Sequence, residues 1–376
     1  MSGSKRVLIS GGGIAGLSLL TALRQRGLAA ELVERELKWA PVGGGIAVQP
    51  NAIRVLHQLG LGKQVEESGN LMRRHLFRDQ QGGVLCEIDL EQLWGNIGAY
   101  VTIERTKLHD ILLTGAAQAS CRLGTWITSL AQNGDHRVRV ELSNGRVDDY
   151  DLVVGADGIH SSVRQFALKS AAPEYGGQMV WRSVVRMPSS EPDAVQFWLG
   201  DGCFFGSCPV GNDRTYGFAN VTGHRFYDDV RGRLDRLRRR FDGFGGSVRD
   251  YLACLQNDEQ LHCAPIEWLE LDTWHSDRIV LIGDAAHASS PMMGQGGCMA
   301  IEDAIVLAEA LHSMADVEHA LDAYVKRRRP RVNWVQQQSR AVGDTLGKPV
   351  QVRNMALRQR GRDEFYSRYQ PLVMHA

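Results

Sequence analysis

The hydrophobic pattern changes period twice in the first 35 residues. "KRVLIS" is nearly continuous in apolar residues, as in a strand buried on both faces of a parallel sheet. "LSLLTALRQRG" has helical spacing, and "AAELVER" returns to a short strand, with the glycine-rich "GGGIAG" between the first strand and the helix. "PVGGGIAVQPNAIRVLHQLGL" predicts a Gly-rich loop followed by a helix with Ile53, Leu56 and Leu59 along one stripe. Residues 71–90 predict a hairpin turning at "RDQQGGV", and "TIERTKLHDILLTGAA" predicts an amphipathic helix. "HRVRVELSNGRVDDYDLVVGADG" predicts an alternating strand, an Asn-Gly turn and a second buried strand ending at Gly155.

After about residue 171 the character shifts. "MVWRSVVRM", "AVQFWLGDGCFFGSCPV" and "RTYGFANV" are β-rich and aromatic, with no helix between them, which predicts a mostly antiparallel sheet in a separate layer. Helical stretches follow at 229–256. "DRIVLIGDAAH" at 277–287 then returns to the opening style, a buried strand ending in glycine. The chain therefore leaves a nucleotide-binding domain and comes back to it.

Composition narrows the function classes. Lys plus Arg and Asp plus Glu both number 43, so no net field favours nucleic acid or an anionic membrane. The seven Cys are scattered without a C-x-x-C pair, which points to reduced thiols in a cytoplasmic protein and to no metal site. "MSGSKRVLIS" has no signal-peptide core, and no run approaches the roughly 20 apolar residues of a membrane span. The basic runs "RLRRR" (236–240) and "KRRRPR" (326–331) read as solvated helix faces and helix ends with carboxylates nearby.

Three motifs carry chemistry. Gly11, Gly13 and Gly16 fit G-x-G-x-x-G directly after a strand: a turn, a close approach for pyrophosphate, and tight helix–strand packing. The helix start offers unpaired N–H groups to phosphate, and Glu34 ends the next strand where an acid would accept ribose hydroxyls. This predicts a dinucleotide site without separating NAD from FAD. "DLVVGADGIHSSVR" (151–164) again ends a buried strand in glycine, with Asp157, Ser161, Ser162 and Arg164 following. "GDAAHASSPMMGQGGCMAIEDA" (283–304) holds Asp284, His287, Ser289, Ser290 and Cys298, an apparent acid, base and nucleophile in one span.

With these three motifs in order, the sequence resembles the single-component flavoprotein aromatic hydroxylases, the para-hydroxybenzoate hydroxylase family. "GQGGCMAIEDA" looks especially like the branch containing zeaxanthin epoxidases, urate hydroxylases and salicylate hydroxylases. The resemblance implies a Rossmann-like α/β FAD-binding domain with an interleaved β-rich substrate domain and a C-terminal helical segment. It divides the chain into FAD-binding parts at 1–70, 101–170 and 276–345, a hairpin at 71–100, a substrate domain at 171–275, and the segment 346–376. That last segment packs on the body or on a second subunit, and monomer and homodimer both stay open.

The implied cofactor is FAD, with NADH or NADPH visiting as reductant. The implied contacts are Gly11, Gly13, Ala15, Gly16, Glu34, Arg35, Gly45, Arg105, Asp157, Asp284, Gly294, Gly296, Gly297 and Cys298. Asp284 would grip the ribitol and Arg105 would lie away from the ring. Asp157 and Arg164 would meet pyrophosphate or nicotinamide, or else Asp157 would brace the loops and Arg164 would make a surface salt bridge. A helix from about Met299 would face the charge of reduced flavin, and Pro291 would line its reactive face. His287 becomes structural and Cys298 no nucleophile.

The implied reaction joins oxygen to a small aromatic or heteroaromatic substrate through a flavin 4a-hydroperoxide. Epoxidation, N-hydroxylation and a non-catalytic flavin-binding role are the alternatives. A halogenase is disfavoured, because its W-x-W-x-I-P pattern is missing. Trp181, Phe197, Phe204, Tyr216, Pro291 and Met292 are the expected pocket residues, within a wider aromatic set of Arg182, Trp198, Phe205 and Phe218. Strand alternation leaves about half of that set to the sheet's own core. Tyr216 is the polar candidate, and His75 or His224 an alternative base. Urate hydroxylases carry an arginine near Phe204, and hydroxynicotinate-type relatives a histidine at Ala47, so both of those contacts are missing here.

Overall fold

The computed structural model describes residues 5–39, 43–117, 119–133, 136–169 and 172–376. One six-stranded sheet runs, in spatial order, His275–Ser276, Ile279–Leu281, Leu152–Gly155, Arg6–Ser10, Ala29–Val33 and Ser120–Arg122. The inner pairs are parallel, and the short edge strand His275–Ser276 is antiparallel. Parallel neighbours need crossovers that cover the sheet faces, which is why Val7, Leu8, Ile9, Val153 and Val280 are all buried. Helix Ile14–Gln25 makes the first crossover and packs closely on helix Gly296–Ser313. A Cβ at Gly283 would lie 3.0 Å from the Ala15 Cβ and 3.3 Å from that of Ala300.

The second sheet has seven strands, ordered His262–Trp268, Glu174–Arg186, Arg214–Thr222, Cys203–Pro209, Ala194–Leu199, Arg74–Asp79 and Val84–Asp89. The early hairpin thus completes the late sheet, joining it by a parallel pairing with Ala194–Leu199. Alternation separates its two faces. Met179, Trp181, Val185, Trp198, Phe205, Ala219 and Val221 pack away from the first sheet, against Leu237, Phe241, Phe244 and Tyr251.

The opposite face forms rows by register. Tyr216 pairs with Cys208, and Val195 pairs with His75. Phe218, Gly206, Phe197 and Phe77 make the middle row. Asn220, Phe204 and Leu199 make the third.

Two long helices close the chain, Val317–Thr345 and Val350–Val373. The last packs on the body: Arg353 donates to the Gly200 carbonyl at 2.6 Å, and the Tyr369 hydroxyl donates to the Met293 carbonyl at 2.9 Å. Two elements differ from expectation, the first being Gly45–Val48, a strand inside the expected Gly-rich loop. Residues 102–104 of the expected helix instead end a strand, Val101–Glu104, that pairs antiparallel with Gly45–Val48, and the helix begins at Arg105. Among the described residues no helix is long and apolar enough to cross a membrane.

Candidate functional site: a dinucleotide cradle facing an aromatic sheet

The first motif forms a cradle with one open side. Gly11 has φ +108°, and a Cβ there would sit 2.4 Å from the Ala156 carbonyl oxygen, so only glycine lets the two loops touch. A Cβ at Gly16 would lie 2.0 Å from the Gly11 oxygen, whereas nothing lies within 4 Å of one at Gly13. Helix Ile14–Gln25 starts there without a side-chain cap or an acidic residue in its first turn, leaving amides and dipole for an anion.

Glu34 accepts from the Gly12 amide at 2.7 Å and from the Glu36 amide at 2.9 Å, so its carboxylate also secures the glycine loop. His109 holds the other side of that loop, its Nε2 2.8 Å from the Gly12 carbonyl oxygen and its ring 5.6 Å from Trp39. Sequence reasoning passed over His109. Its signal was the i,i+4 spacing from Arg105, which is exposed at the start of the same helix. Arg35 is exposed beside Glu34.

The second motif is a brace. Asp157 accepts from the amides of Ser162 at 2.9 Å and Val163 at 3.2 Å and from both neighbouring serine hydroxyls, capping helix Ser162–Leu168. Arg164 makes no surface salt bridge among the described residues. It is 1 % exposed and donates to the carbonyls of Ile159 at 2.7 Å and Ala285 at 3.0 Å.

In the third motif Asp284 is exposed and makes no hydrogen bond or ion pair with other described residues. Helix Gly296–Ser313 begins three residues before the expected Met299, so Gly296 and Gly297 supply its first amides. A Cβ at Gly296 would meet nothing within 4 Å, while one at Gly297 would press on Ile46 at 2.9 Å and one at Gly294 on Gln49 at 3.0 Å. Cys298 is buried, with the Gln49 amide 3.4 Å from its sulfur, and burial pushes its thiol up to about 12. That is an inert thiol.

His287 is structural too. Its Nε2 lies 2.6 Å from Asp303, whose carboxylate also accepts from the Gly283 amide at 2.9 Å and from Arg328 at 2.8 Å. Arg328 pairs with Glu302 at 2.5 Å, and Arg331 reaches both Glu302 oxygens at 2.8 Å. Asn51 bridges Glu302 to Gln295, and Gln295 donates to Gln49 at 2.7 Å. This network corrects the reading of "KRRRPR" as a solvated face. Arg328 is fully buried and Arg331 nearly so, because two carboxylates inside an apolar helix must be paired with cations.

The cradle and the aromatic sheet meet at the turn Pro291–Met293. Met292 packs with Phe197, Phe204 and Phe218, together with Leu199, Leu346 and Leu357. Tyr216 stacks on Phe218 at 5.2 Å and covers Gly45, where a Cβ would come within 2.5 Å of its ring. Burial pushes its phenol up to about 12, so it stays protonated and can donate. Trp181 is a correction. It lies on the far face and donates to Asp228 at 2.9 Å; Trp198 and Phe205 belong to that same far-side core. His75 is enclosed by Tyr100, Phe197 and Phe365 at 5.2–5.6 Å with neither ring nitrogen hydrogen-bonded among the described residues, whereas His224 is exposed.

An open glycine cradle, two uncapped helix starts and an unpaired carboxylate beside them fit a flavin dinucleotide. Comparison with known proteins agrees. Residues 4–339 match a family model described as "FAD binding domain". The chain is 33 % identical over 329 residues to the aurachin C monooxygenase/isomerase of Stigmatella aurantiaca, covering 87 % of this chain and 86 % of that one. It is 34 % identical over 350 residues to the 2-heptyl-3-hydroxy-4(1H)-quinolone synthase of Pseudomonas aeruginosa, covering 90 % and 88 %. The crystal structure of Klebsiella pneumoniae HpxO with FAD and uric acid superposes with TM-score 0.91 at 25 % identity, covering 99 % and 97 %.

Proposed function

The chain belongs to the FAD binding domain family and is an FAD-dependent monooxygenase, and from that premise we propose that it hydroxylates a small aromatic or heteroaromatic ring using NAD(P)H and oxygen. One observation carries this reading. The turn Pro291–Met293 belongs to both halves, with Met292 in the aromatic cluster and the Met293 carbonyl fixed by Gln49 at 2.7 Å and by Tyr369. Bound FAD supplies hydride acceptance and oxygen activation. Gly11, Gly13, Gly16 and Glu34 would hold its dinucleotide end, and Asp284 its ribitol. Amides at the start of Gly296–Ser313 stabilise negative charge without a charged side chain. Phe197, Phe204, Phe218 and Met292 exclude water and clamp a flat ring, and Tyr216 donates a hydrogen bond to it.

Purified protein should be yellow. NADH or NADPH oxidation should accelerate with members of a panel of phenols, anthranilates, quinolones and hydroxypyridines, with product gaining one oxygen atom. Protein that stays colourless after incubation with FAD overturns the reading. Flavin binding without stimulation by any compound leaves a binding-only flavoprotein. Asp284→Ala should lower FAD retention at least tenfold, read by flavin release on dilution.

A further inference from the structure

We propose that Asn220 reads the polar edge of the substrate, and that the edge it takes is a ring lactam, an N–H and a C=O side by side. This rests on the aromatic monooxygenase reading and names the substrate class of that same pocket. Asn220 is fully buried, and neither its Oδ1 nor its Nδ2 has a hydrogen-bond partner among the described residues. A buried side chain with both polar atoms unpaired is rare in a folded protein and calls for a partner that arrives later.

Its position says from where. By strand alternation it shares the face of Tyr216 and Phe218, and its row neighbours Val180, Phe204 and Leu199 are all apolar. The next pair on that face, Gln178 and Thr222, lines a cavity of about 270 Å³ together with Ser290 and Gly343. Ser290 directly precedes Pro291, and Met292 lies 3.8 Å from where a Gly343 Cβ would be. The unpaired amide therefore lies on its strand between Phe218 of the aromatic cluster and Thr222 of the cavity wall, on the same face as both.

A carboxamide presents one acceptor and one donor edge together. A carboxylate would satisfy only the donor, and a phenol only one of the two. A lactam satisfies both at once. The apolar row leaves a carbocyclic isostere with no penalty of its own, but it would leave the amide unpaired, and such sites discriminate by large factors.

The test compares 2-hydroxyquinoline, as its lactam, with 2-naphthol on FAD-loaded wild type and Asn220→Leu. Binding is read from the perturbed flavin absorbance, independently of turnover. Wild type should prefer the lactam on the order of 10²-fold. Asn220→Leu should lose that preference while keeping its flavin and an equal or higher melting temperature. Equal binding of the pair by wild type, or a preference surviving in Asn220→Leu, overturns the inference and assigns the amide to a buried water. Should Asn220→Leu not fold, the smaller Asn220→Ala removes both polar atoms without adding volume and should lose the preference likewise. Absent NAD(P)H oxidation with an intact lactam preference would instead sink the hydroxylase reading alone.

Discussion

The Arg164 guanidinium donates to the Ala285 carbonyl oxygen across 3.0 Å and so ties the end of the second glycine motif to the start of the third. The two segments are 121 residues apart in sequence and rest on adjacent strands of the first sheet. Replacing Arg164 by Met should leave the Ile159 and Ala285 carbonyls unpaired and cost roughly 2–4 kcal/mol. A urea titration would measure that loss, and FAD release should quicken beyond it because Asp284 precedes Ala285. Arg164→Lys should recover part of both.

Gly45 and Tyr216 are coupled by contact. Gly45→Ala puts a methyl 2.5 Å from the tyrosine ring, and relieving it should cost about 1–3 kcal/mol. Adding Tyr216→Leu to the same chain should restore most of the stability but not substrate-stimulated turnover. A double-mutant cycle in melting temperature and in kcat separates the two effects.

The buried ion network should behave as a unit. Arg328→Met or Glu302→Gln alone should cost roughly 3–5 kcal/mol, and the pair together clearly less than their sum. Burial pushes the Asp303 carboxyl up, but His287 and Arg328 outweigh it and hold it down at about 2. The unfolded chain therefore binds a proton near pH 4 that the folded chain refuses. This contribution is complete above that range and is lost as pH falls toward 2. Asp303→Asn should flatten the acid side of the urea midpoint profile.

His75 makes the pH dependence begin earlier. Burial among aromatic rings pushes its imidazole down to about 3 from an ordinary 6.5. Between those values the unfolded chain is protonated at this site and the folded chain is not. Stability should be full above pH 6.5 and decline, by on the order of a few kcal/mol, as pH falls to 3. His75→Phe should remove that decline and raise the melting temperature at pH 5. An unchanged slope would mean that the ring is hydrogen-bonded in solution.

The glycine spacings and the strand–turn–helix order were readable because they are local. They marked the turns at Gly11, Gly13 and Gly283, whereas a role for Asp284 came only with the family resemblance. Face assignment was not. Alternation says that Trp181 and Arg182 point opposite ways, but which one meets the pocket depends on where the helices Arg233–Arg240 and Ser247–Cys254 pack. The inward turn of Arg328 was half-legible. Its own run looks like a charged surface, yet "CMAIEDAIVLAEAL" sets two adjacent acids in an apolar helix that requires buried cations. Asn220 carries no sequence signal, because an orphaned amide exists only once its neighbours are in place.

The order of strands in the first sheet also sets a timetable for the growing polypeptide. Ile279–Leu281, Leu152–Gly155 and Arg6–Ser10 lie side by side, so the strand that leads into Asp284 is synthesised long after the two strands it completes. Until then Leu152–Gly155, already paired with Arg6–Ser10, keeps its other edge unpaired, the state in which parallel sheets are slow to mature and open to misassociation. Capture of the prosthetic group is on this count a late step of synthesis, and its supply should govern the yield of soluble holoenzyme more than the rate of translation does.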